Sequence, residues 1–293
     1  MPHLDDLENE RGALLGLCYR MLGTVADAED AVQETFVRWL RLTDAERAAI
    51  RNPAAWLTRV AGRVCLDMLG SARARRERYV GEWLPEPVPG DSPIAASAPI
   101  DPADRVTLDD SVSMALLVLL ESLTPAERVA FVLHDVFGVP FGEIAESVGR
   151  SPDAVRQLAS QARRRVQQHR AGAASREEHD AVTRAFAAAT QTGDLQSLVA
   201  VLDPDVVLRA DGGGRVSAAR RPVRGADRVA RFLLGLPHLE PDAVVEPIRT
   251  PDGLGLIATL HGEPNALFTV DVRDGRVADI YVMRNPDKLS QWG

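Results

Sequence analysis

Residues 123–166 read LTPAERVAFVLHDVFGVPFGEIAESVGRSPDAVRQLASQARRRV, and three helices can be laid on them almost residue by residue. Thr124-Pro125-Ala126-Glu127 sets a hydroxyl, a proline at the first helical position and a glutamate three residues on, a capping box that starts a helix. Val129, Val132, Leu133 and Val136 give that helix an apolar face, and Gly138 ends it. A short second helix runs from Phe141 and packs through Ile144, Ala145 and Val148, with Gly149 supplying the tight turn. Ser151 caps a third helix, with Pro152 at its first position and Asp153 in its first turn, where the helix dipole favours an acid. Val155, Ala159, Ala162 and Val166 recur at helical spacing and face inward, leaving Arg156, Gln157, Ser160, Arg163 and Arg164 outward. The pattern predicts a helix-turn-helix whose last helix, capped and arginine-rich, suits a DNA major groove.

Outward from this motif, the 293 residues leave room for two or three domains, and the net charge of −8 argues against a generally basic nucleic-acid coat. The charge is segregated, however. Residues 1–50 carry five arginines against ten acids, residues 51–80 seven against two, and residues 150–170 six against one. Basic character is confined to two helical segments, as localised phosphate contacts require. Cys18 and Cys65 sit in apolar helical patterns without metal-ligand spacing, and read as reduced, buried thiols. No metal or cofactor is expected. Neither a signal peptide nor a membrane-length apolar run is evident, so a cytoplasmic protein with no membrane partner is expected, monomeric when free.

Residues 1–79 read as a helical domain with stripes Leu14/Leu15/Cys18/Tyr19/Leu22, Ala28/Val32/Phe36/Leu40 and, after Pro53, Trp56/Val60/Val64/Leu66/Leu69. Residues 80–107 are proline-dense and aperiodic, a linker with no core of its own. Residues 108–170 form the second helical block, ending in the helix-turn-helix. Residues 176–293 read as an α+β domain. It opens with helices over Glu177–Gln191 and Asp194–Leu202. Strand-like runs follow at Val206–Ala210, Ala243–Arg249, Leu254–Leu260, Ala266–Val272 and Val277–Met283. Asp252-Gly253 and Asp274-Gly275 mark hairpins, and a curved antiparallel sheet is expected.

Asp27-Ala28-Glu29-Asp30-Ala31-Val32-Gln33-Glu34 puts acids on one helix side and apolar residues on the other, a protein-docking surface in outline. The DAEDAVQETFVRW stretch that these residues begin, the Asn52-Pro53-Ala54-Ala55-Trp56-Leu57 segment with its arginine-rich helix, and the stretch quoted first resemble, in that order, regions 2.2, 2.3–2.4 and 4 of the sigma-70 family. The closest likeness is to its extracytoplasmic-function (ECF) branch. The resemblance covers roughly the first 170 residues. It implies that Asp27, Glu29, Asp30, Gln33, Glu34 and Trp39 meet core RNA polymerase at the β′ clamp helices, with the β flap as a second polymerase contact. It implies that Arg59, Arg63, Arg73, Arg75 and Arg76 meet the −10 promoter element, and Ser151, Arg156, Gln157, Ser160, Arg163 and Arg164 the −35 element. Many ECF recognition helices carry a basic residue where Leu158 and Gln161 stand, so base preference does not transfer. Trp56 reads as core, whereas Trp39 is open between core and polymerase contact.

Three further segments resemble signatures of ECF sigma factors fused to a SnoaL-like domain: Trp83-Leu84-Pro85-Glu86-Pro87, Asp211-Gly212-Gly213-Gly214-Arg215 and Asn285-Pro286-Asp287-Lys288-Leu289. The resemblance implies control in cis by the C-terminal domain, with a small-molecule ligand in its pocket as a further candidate partner. The residues suit this: a tryptophan on a stiff, proline-rich stem offers another domain something to hold. Asp211, His261 and Asp271 are the titratable candidates for lining such a pocket, but no spacing joins them into an acid/base pair, and a non-enzyme is expected. Two competitors stand beside the sigma reading. A ligand-sensing one-component regulator would leave the acidic helix face unexplained. An enzyme with a DNA-binding module would need turnover in the last domain.

Overall fold

The computed structural model describes residues 4–76, 79–96 and 112–293. They fall into two compact units. The first is drawn from Met1–Glu77, Ser92–Val112 and Leu116–Gln168, the second from Arg78–Asp91, Ser113–Ala115 and His169–Gly293.

The first unit is helical. Helices α1 (Leu4–Leu22), α2 (Val25–Leu40) and α4 (Pro53–Arg76) pack together, with α3 (Asp44–Ala49) between the last two in sequence and α5 (Pro93–Ala96) against α1. Thr24 caps α2, and Thr43 with Glu46 forms a full capping box on α3. Leu14, Cys18, Tyr19, Leu22, Ala28, Val32, Val64 and Leu69 of the expected stripes are buried, whereas Leu15, Phe36, Val60 and Leu66 are only partly so and Leu40 is exposed. Both cysteines are fully buried and free.

Helix α6 (Met114–Glu121) leads to the motif. The capping box at Thr124 and Glu127 is made in both directions, and α7 (Pro125–Phe131) starts where the sequence places it. Its continuation differs from a plain helix: Val132–Val136 widen into a π turn, with the Phe137 N–H reaching back to the Val132 carbonyl at 3.1 Å before Gly138 reverses the chain at φ +66°. Helices α8 (Phe141–Val148) and α9 (Pro152–Arg170) follow, divided by Gly149 at φ +67°. Val155, Ala159, Ala162 and Val166 are buried, as their spacing requires.

In the second unit α10 (Arg176–Thr192) and α11 (Leu195–Val201) precede β1 (Leu202–Asp211) and β2 (Val223–Arg224). Then come α12 (Ala226–Leu239), β3 (Val244–Thr250), β4 (Gly253–Leu260), β5 (Glu263–Arg273) and β6 (Arg276–Met283). The sheet order is β2-β1-β6-β5-β4-β3. It is mixed, not wholly antiparallel: β1 runs parallel to β6 because the chain between them crosses back through α12 and three hairpin strands. Helix α12 and strand β2 are additions to the sequence reading. Asp274-Gly275 makes its two-residue turn with φ +50° and +71°, and His261-Gly262 makes a matching one at +54° and +86°.

Residues 79–91 depart most from expectation. They belong to the second unit, and Leu84, Pro85, Glu86, Pro87 and Val88 are all buried. Rather than a free linker, they form a strap seated on the α+β domain; the expected linker's later residues, 97–107, lie outside the described residues.

Candidate nucleic-acid interface and strap site

Helix α2 turns Glu29, Asp30 and Gln33 to the surface and leaves Asp27 and Glu34 partly exposed, because Ala28, Ala31, Val32 and Thr35 take the buried side. Asp27 shares its first turn with the Thr24 cap, whose hydroxyl donates to its carboxylate at 2.9 Å. Glu34 holds Arg38 at 2.8 Å along the helix. The structure decides the open reading of Trp39 and moves Trp56 out of the core. Trp39 is 2% exposed and belongs to the core, so it is corrected as a polymerase-contact candidate; Trp56 is the partly exposed one, edge-on to it at 5.2 Å. The reason is that Trp39 lies on the Ala28/Val32/Thr35 side of α2, while Trp56 is in the first turn of α4.

The proposed −10 residues lie on α4. Arg63 is exposed, and Arg59 reaches α8, 3.4 Å from Glu143 and 3.9 Å from Glu146. Arg73, Arg75 and Arg76 fall on the last turns of α4, where the side chains lie outside the described residues. The contact between α4 and the helix-turn-helix is close. A Cβ on Gly62 would come within 2.8 Å of a Leu133 methyl. Arg128, 3% exposed, donates to the Met21 carbonyl at 2.7 Å and pairs with Glu121 at 2.6 Å. The first basic segment is therefore packed against the helix-turn-helix within one unit, with Arg59 already held by two acids of α8.

On α9, Arg156, Gln157 and Arg164 are exposed. Ser151 accepts the Ala154 N–H at 3.2 Å. Arg156 pairs with Asp153 at 2.5 Å and lies over the Phe141 ring. Ser160 and Arg163 are half-buried, and Arg163 holds Asp135 of the π turn at 2.6 Å, a bond that raises the arginine's pKa. That pair, invisible in the linear pattern, fixes α9 to the rest of its own motif.

The second unit brings together all three segments singled out near its ends. Asp211, at the end of β1, is completely buried. Its carboxylate accepts from the Tyr79 hydroxyl at 2.5 Å, the Leu84 N–H at 2.9 Å, the Gly213 N–H at 2.9 Å and the Lys288 ammonium at 2.8 Å. Lys288 also donates to the Leu84 carbonyl at 2.5 Å and sits 4.1 Å from the Trp83 ring centre and 5.2 Å from that of Tyr79. A buried ammonium with a carboxylate, a carbonyl and two π faces has its charge well compensated. Asn285 donates to the Tyr79 oxygen at 2.8 Å, and the Trp292 indole donates to the Pro87 carbonyl at 3.0 Å. Burial, and then the Asp211 carboxylate, push the Tyr79 phenol well above its ordinary value, so it stays a donor.

The glycines explain themselves here. A Cβ on Gly213, at φ +64°, would fall 2.5 Å from the Asn285 side chain, and one on Gly214, at φ +69°, 3.0 Å from Val80. Arg215 reaches out to Asp287. Tyr79 is the member the sequence reading missed; its bond to Asp211 spans 132 residues, and no local pattern announces it.

Asp211, His261 and Asp271 do not share a pocket. Asp211 is enclosed by the strap, and His261 is exposed in the β4–β5 turn. Asp271 lies on the side of β5 opposite the inward-facing Val270 and Val272, and burial raises its pKa. Among the described residues no group of acids, histidines and cysteines is placed to hold a metal, and no helix is long and apolar enough to cross a membrane.

Residues 7–75 match the family model of sigma-70 region 2, and residues 113–166 that of sigma-70 region 4. The ECF RNA polymerase sigma factor SigJ of Mycobacterium tuberculosis is 39% identical, over 98% of this chain and 93% of that protein. A probable ECF sigma factor of the same organism, SigI, is 38% identical over 95% and 92%. The crystal structure of M. tuberculosis SigJ aligns with a TM-score of 0.76 at 36% identity, covering 99% of both chains.

Proposed function

Because the chain belongs to the ECF RNA polymerase sigma factors, we propose that it joins core RNA polymerase and directs initiation at its own promoters, under control in cis by its C-terminal domain. The acidic side of α2, formed by Asp27, Glu29, Asp30, Gln33 and Glu34, meets the β′ clamp helices, and the second helical block meets the β flap. Helix α4 supplies Arg59 and Arg63 to the −10 element, and α9 supplies Arg156, Gln157 and Arg164 to the −35 groove, with Ser151 and Ser160 at its edge. Arg163 acts chiefly by fixing α9 through Asp135.

The observation that carries the control reading is the packing of α4 on α7 and α8 within one unit. Promoter elements about 25 base pairs apart are separated by roughly 85 Å along B-DNA, at about 34–36 Å per turn. Helices in contact at Arg59–Glu143 and Gly62–Leu133 cannot lie on both elements, so initiation requires that contact to part. The strap joins the chain beyond α4 to the α+β domain, through Asp211 and Lys288, and is the device by which that domain bears on the event. The domain both restrains the promoter-binding halves and, through Asp211–Arg215, supports activity.

The test is in vitro transcription with purified core polymerase, comparing the full-length chain, a chain ending at Gln168 and shorter C-terminal truncations. Specific initiation that differs among the truncations upholds the proposal. Truncations that all behave as the full-length chain would remove the regulatory role, and the absence of initiation from every form on a broad template library would remove the sigma role.

A further inference from the structure

Residues 169–293 carry 17 acids against 15 bases, yet the charge of this part of the chain is unevenly placed. Residues 215–231 hold six arginines and a single acid, Asp227. The stretch covers the turn after β1, strand β2 and the first turns of α12. It therefore lies at one edge of the sheet, whose strand order begins at β2.

Two of the six arginines are neutralised locally, Arg215 by Asp287 and Arg231 by Asp227. The other four, Arg220, Arg221, Arg224 and Arg228, are exposed and form no ion pair or hydrogen bond among the described residues. Elsewhere in the domain Arg209, Arg249, Arg273 and Arg284 each hold a carboxylate, so the fold spends those charges internally. Asp203 and Asp205 lie near Gly225 at the start of β1, and neither pairs with the four. Pairing of Val207 with Arg224 and of Leu208 with Val223 fixes the backbone on which the arginines stand. Helix α12 begins at Gly225 without a side-chain cap, and the positive end of its dipole adds to the same potential. Four like charges within nine consecutive residues repel one another and bring the fold no ion pair in return. An external polyanion removes that repulsion.

We propose that this edge binds the phosphate backbone of duplex DNA, a nucleic-acid contact outside both sigma-70 regions. Guanidinium groups are permanently charged and take phosphate oxygens two at a time, which suits the regular anionic spacing of a duplex. A bilayer surface fits less well, because no exposed aliphatic or aromatic side chain lies among residues 220–228; Pro222 and Val223 are half-buried. A protein partner would also need an apolar anchor at the centre of the patch. Phosphate contacts set affinity and carry no base information, so this edge strengthens promoter binding without changing which bases are preferred. That consequence rests on the sigma reading, whereas the phosphate contact does not.

The test follows binding of the full-length chain to a short fluorescein-labelled duplex of unrelated sequence, by anisotropy, across a series of salt concentrations. The comparison is the chain carrying Arg220→Gln, Arg221→Gln, Arg224→Gln and Arg228→Gln together. The variant should lose about 3–4 from the slope of log K against log salt, near 0.9 for each phosphate contact, and bind about tenfold or more weakly at moderate salt. Its melting temperature should match the wild type's, since the four side chains are exposed and unpaired. Arg276→Gln, an exposed arginine at the start of β6 outside the patch, should leave the slope unchanged and so controls for net charge. In the holoenzyme, on a promoter from which the chain initiates, the fourfold variant should bind more weakly with the same base preference. No duplex binding by the wild-type chain, or a variant slope equal to the wild type's, would overturn the proposal. So would a variant that keeps its duplex binding but loses binding to phosphatidylserine vesicles or to core polymerase alone. Failure of the wild-type holoenzyme to initiate would count against the sigma reading and leave the duplex result standing.

Discussion

Two contacts hold this molecule in the state described, and they are built in opposite ways. Around Asp211 the carboxylate is wholly buried, four donors converge on it, and the one lysine of the chain is enclosed between a carboxylate, a carbonyl and two aromatic rings. Between α4 and α8 the ion pairs are 3.4 and 3.9 Å long, with Glu143 half-buried and Glu146 78% exposed. Exposed pairs of that kind contribute about 0–1 kcal/mol, whereas removing one member of a buried pair costs roughly 3–5 kcal/mol. The strap is thus fastened to its domain through buried charges, whereas the α4–α8 ion pairs add little to a seam that rests on apolar packing at Gly62–Leu133 and on the buried Arg128–Met21 bond. A regulator that opens at one place and remains attached at another draws on that difference.

The largest effect should come from breaking the firm contact. Asp211→Ala leaves Lys288 buried without its carboxylate and should lower the stability of the α+β domain by roughly 3–5 kcal/mol in denaturant unfolding. It should also expose the segment around Trp83 to protease. Next is the seam itself. Gly62→Val puts a Cβ within 2.8 Å of Leu133 and adds two methyls beyond it, an overpacking of about 1–3 kcal/mol. It should favour the parted form and raise initiation by the full-length chain.

A smaller, pH-dependent effect serves as a control inside the firm domain but away from the strap. Burial of Asp180 works against its ionisation, yet the Leu254 N–H at 2.7 Å, His179 and Arg249 outweigh it and hold the carboxyl below the usual range. A depressed pKa stabilises the fold above the unfolded value, and the gain disappears as pH falls through the folded one. Asp180→Asn should therefore lower the melting temperature at pH 7, with the gap from wild type closing in the acid range. Smallest of all, Arg59→Ala should change stability by less than about 1 kcal/mol, with an effect that shrinks further in high salt.

The same contrast governs what could be read from sequence. The helix-turn-helix was legible because its signals are local: Thr124 caps three residues from Glu127, Gly149 supplies its own turn, and Val155 to Val166 repeat at helical spacing. The π turn at Val132–Val136 was not, since the same apolar residues serve an α-helix equally well. In the sheet, Asp274-Gly275 announces its hairpin, whereas the β3–β4 turn falls on Pro251-Asp252, with Gly253 already in the strand, and the parallel pairing of β1 with β6 joins strands some 70 residues apart and leaves no local mark. The strap is the extreme case. Its composition reads as a linker, and only partners 127 to 206 residues away bury it. Resemblance drew attention to Trp83–Pro87, Asp211–Arg215 and Asn285–Leu289; geometry added Tyr79 and showed Asp211 to be the residue on which they converge. Trp39 stayed open in the sequence and Trp56 was read as core, because which ring is covered depends on the helices packed around them.

On this reading the seam between α4 and the helix-turn-helix is closed in the free chain and open during initiation. Fluorescent labels at the exposed positions Arg41 and Arg150, each replaced by cysteine while Cys18 and Cys65 stay buried, would report the separation by energy transfer. High transfer in the free chain, lost when core polymerase and a promoter it initiates from are added, is the predicted result. Transfer that stays as high in the initiating complex as in the free chain would show that the seam does not part.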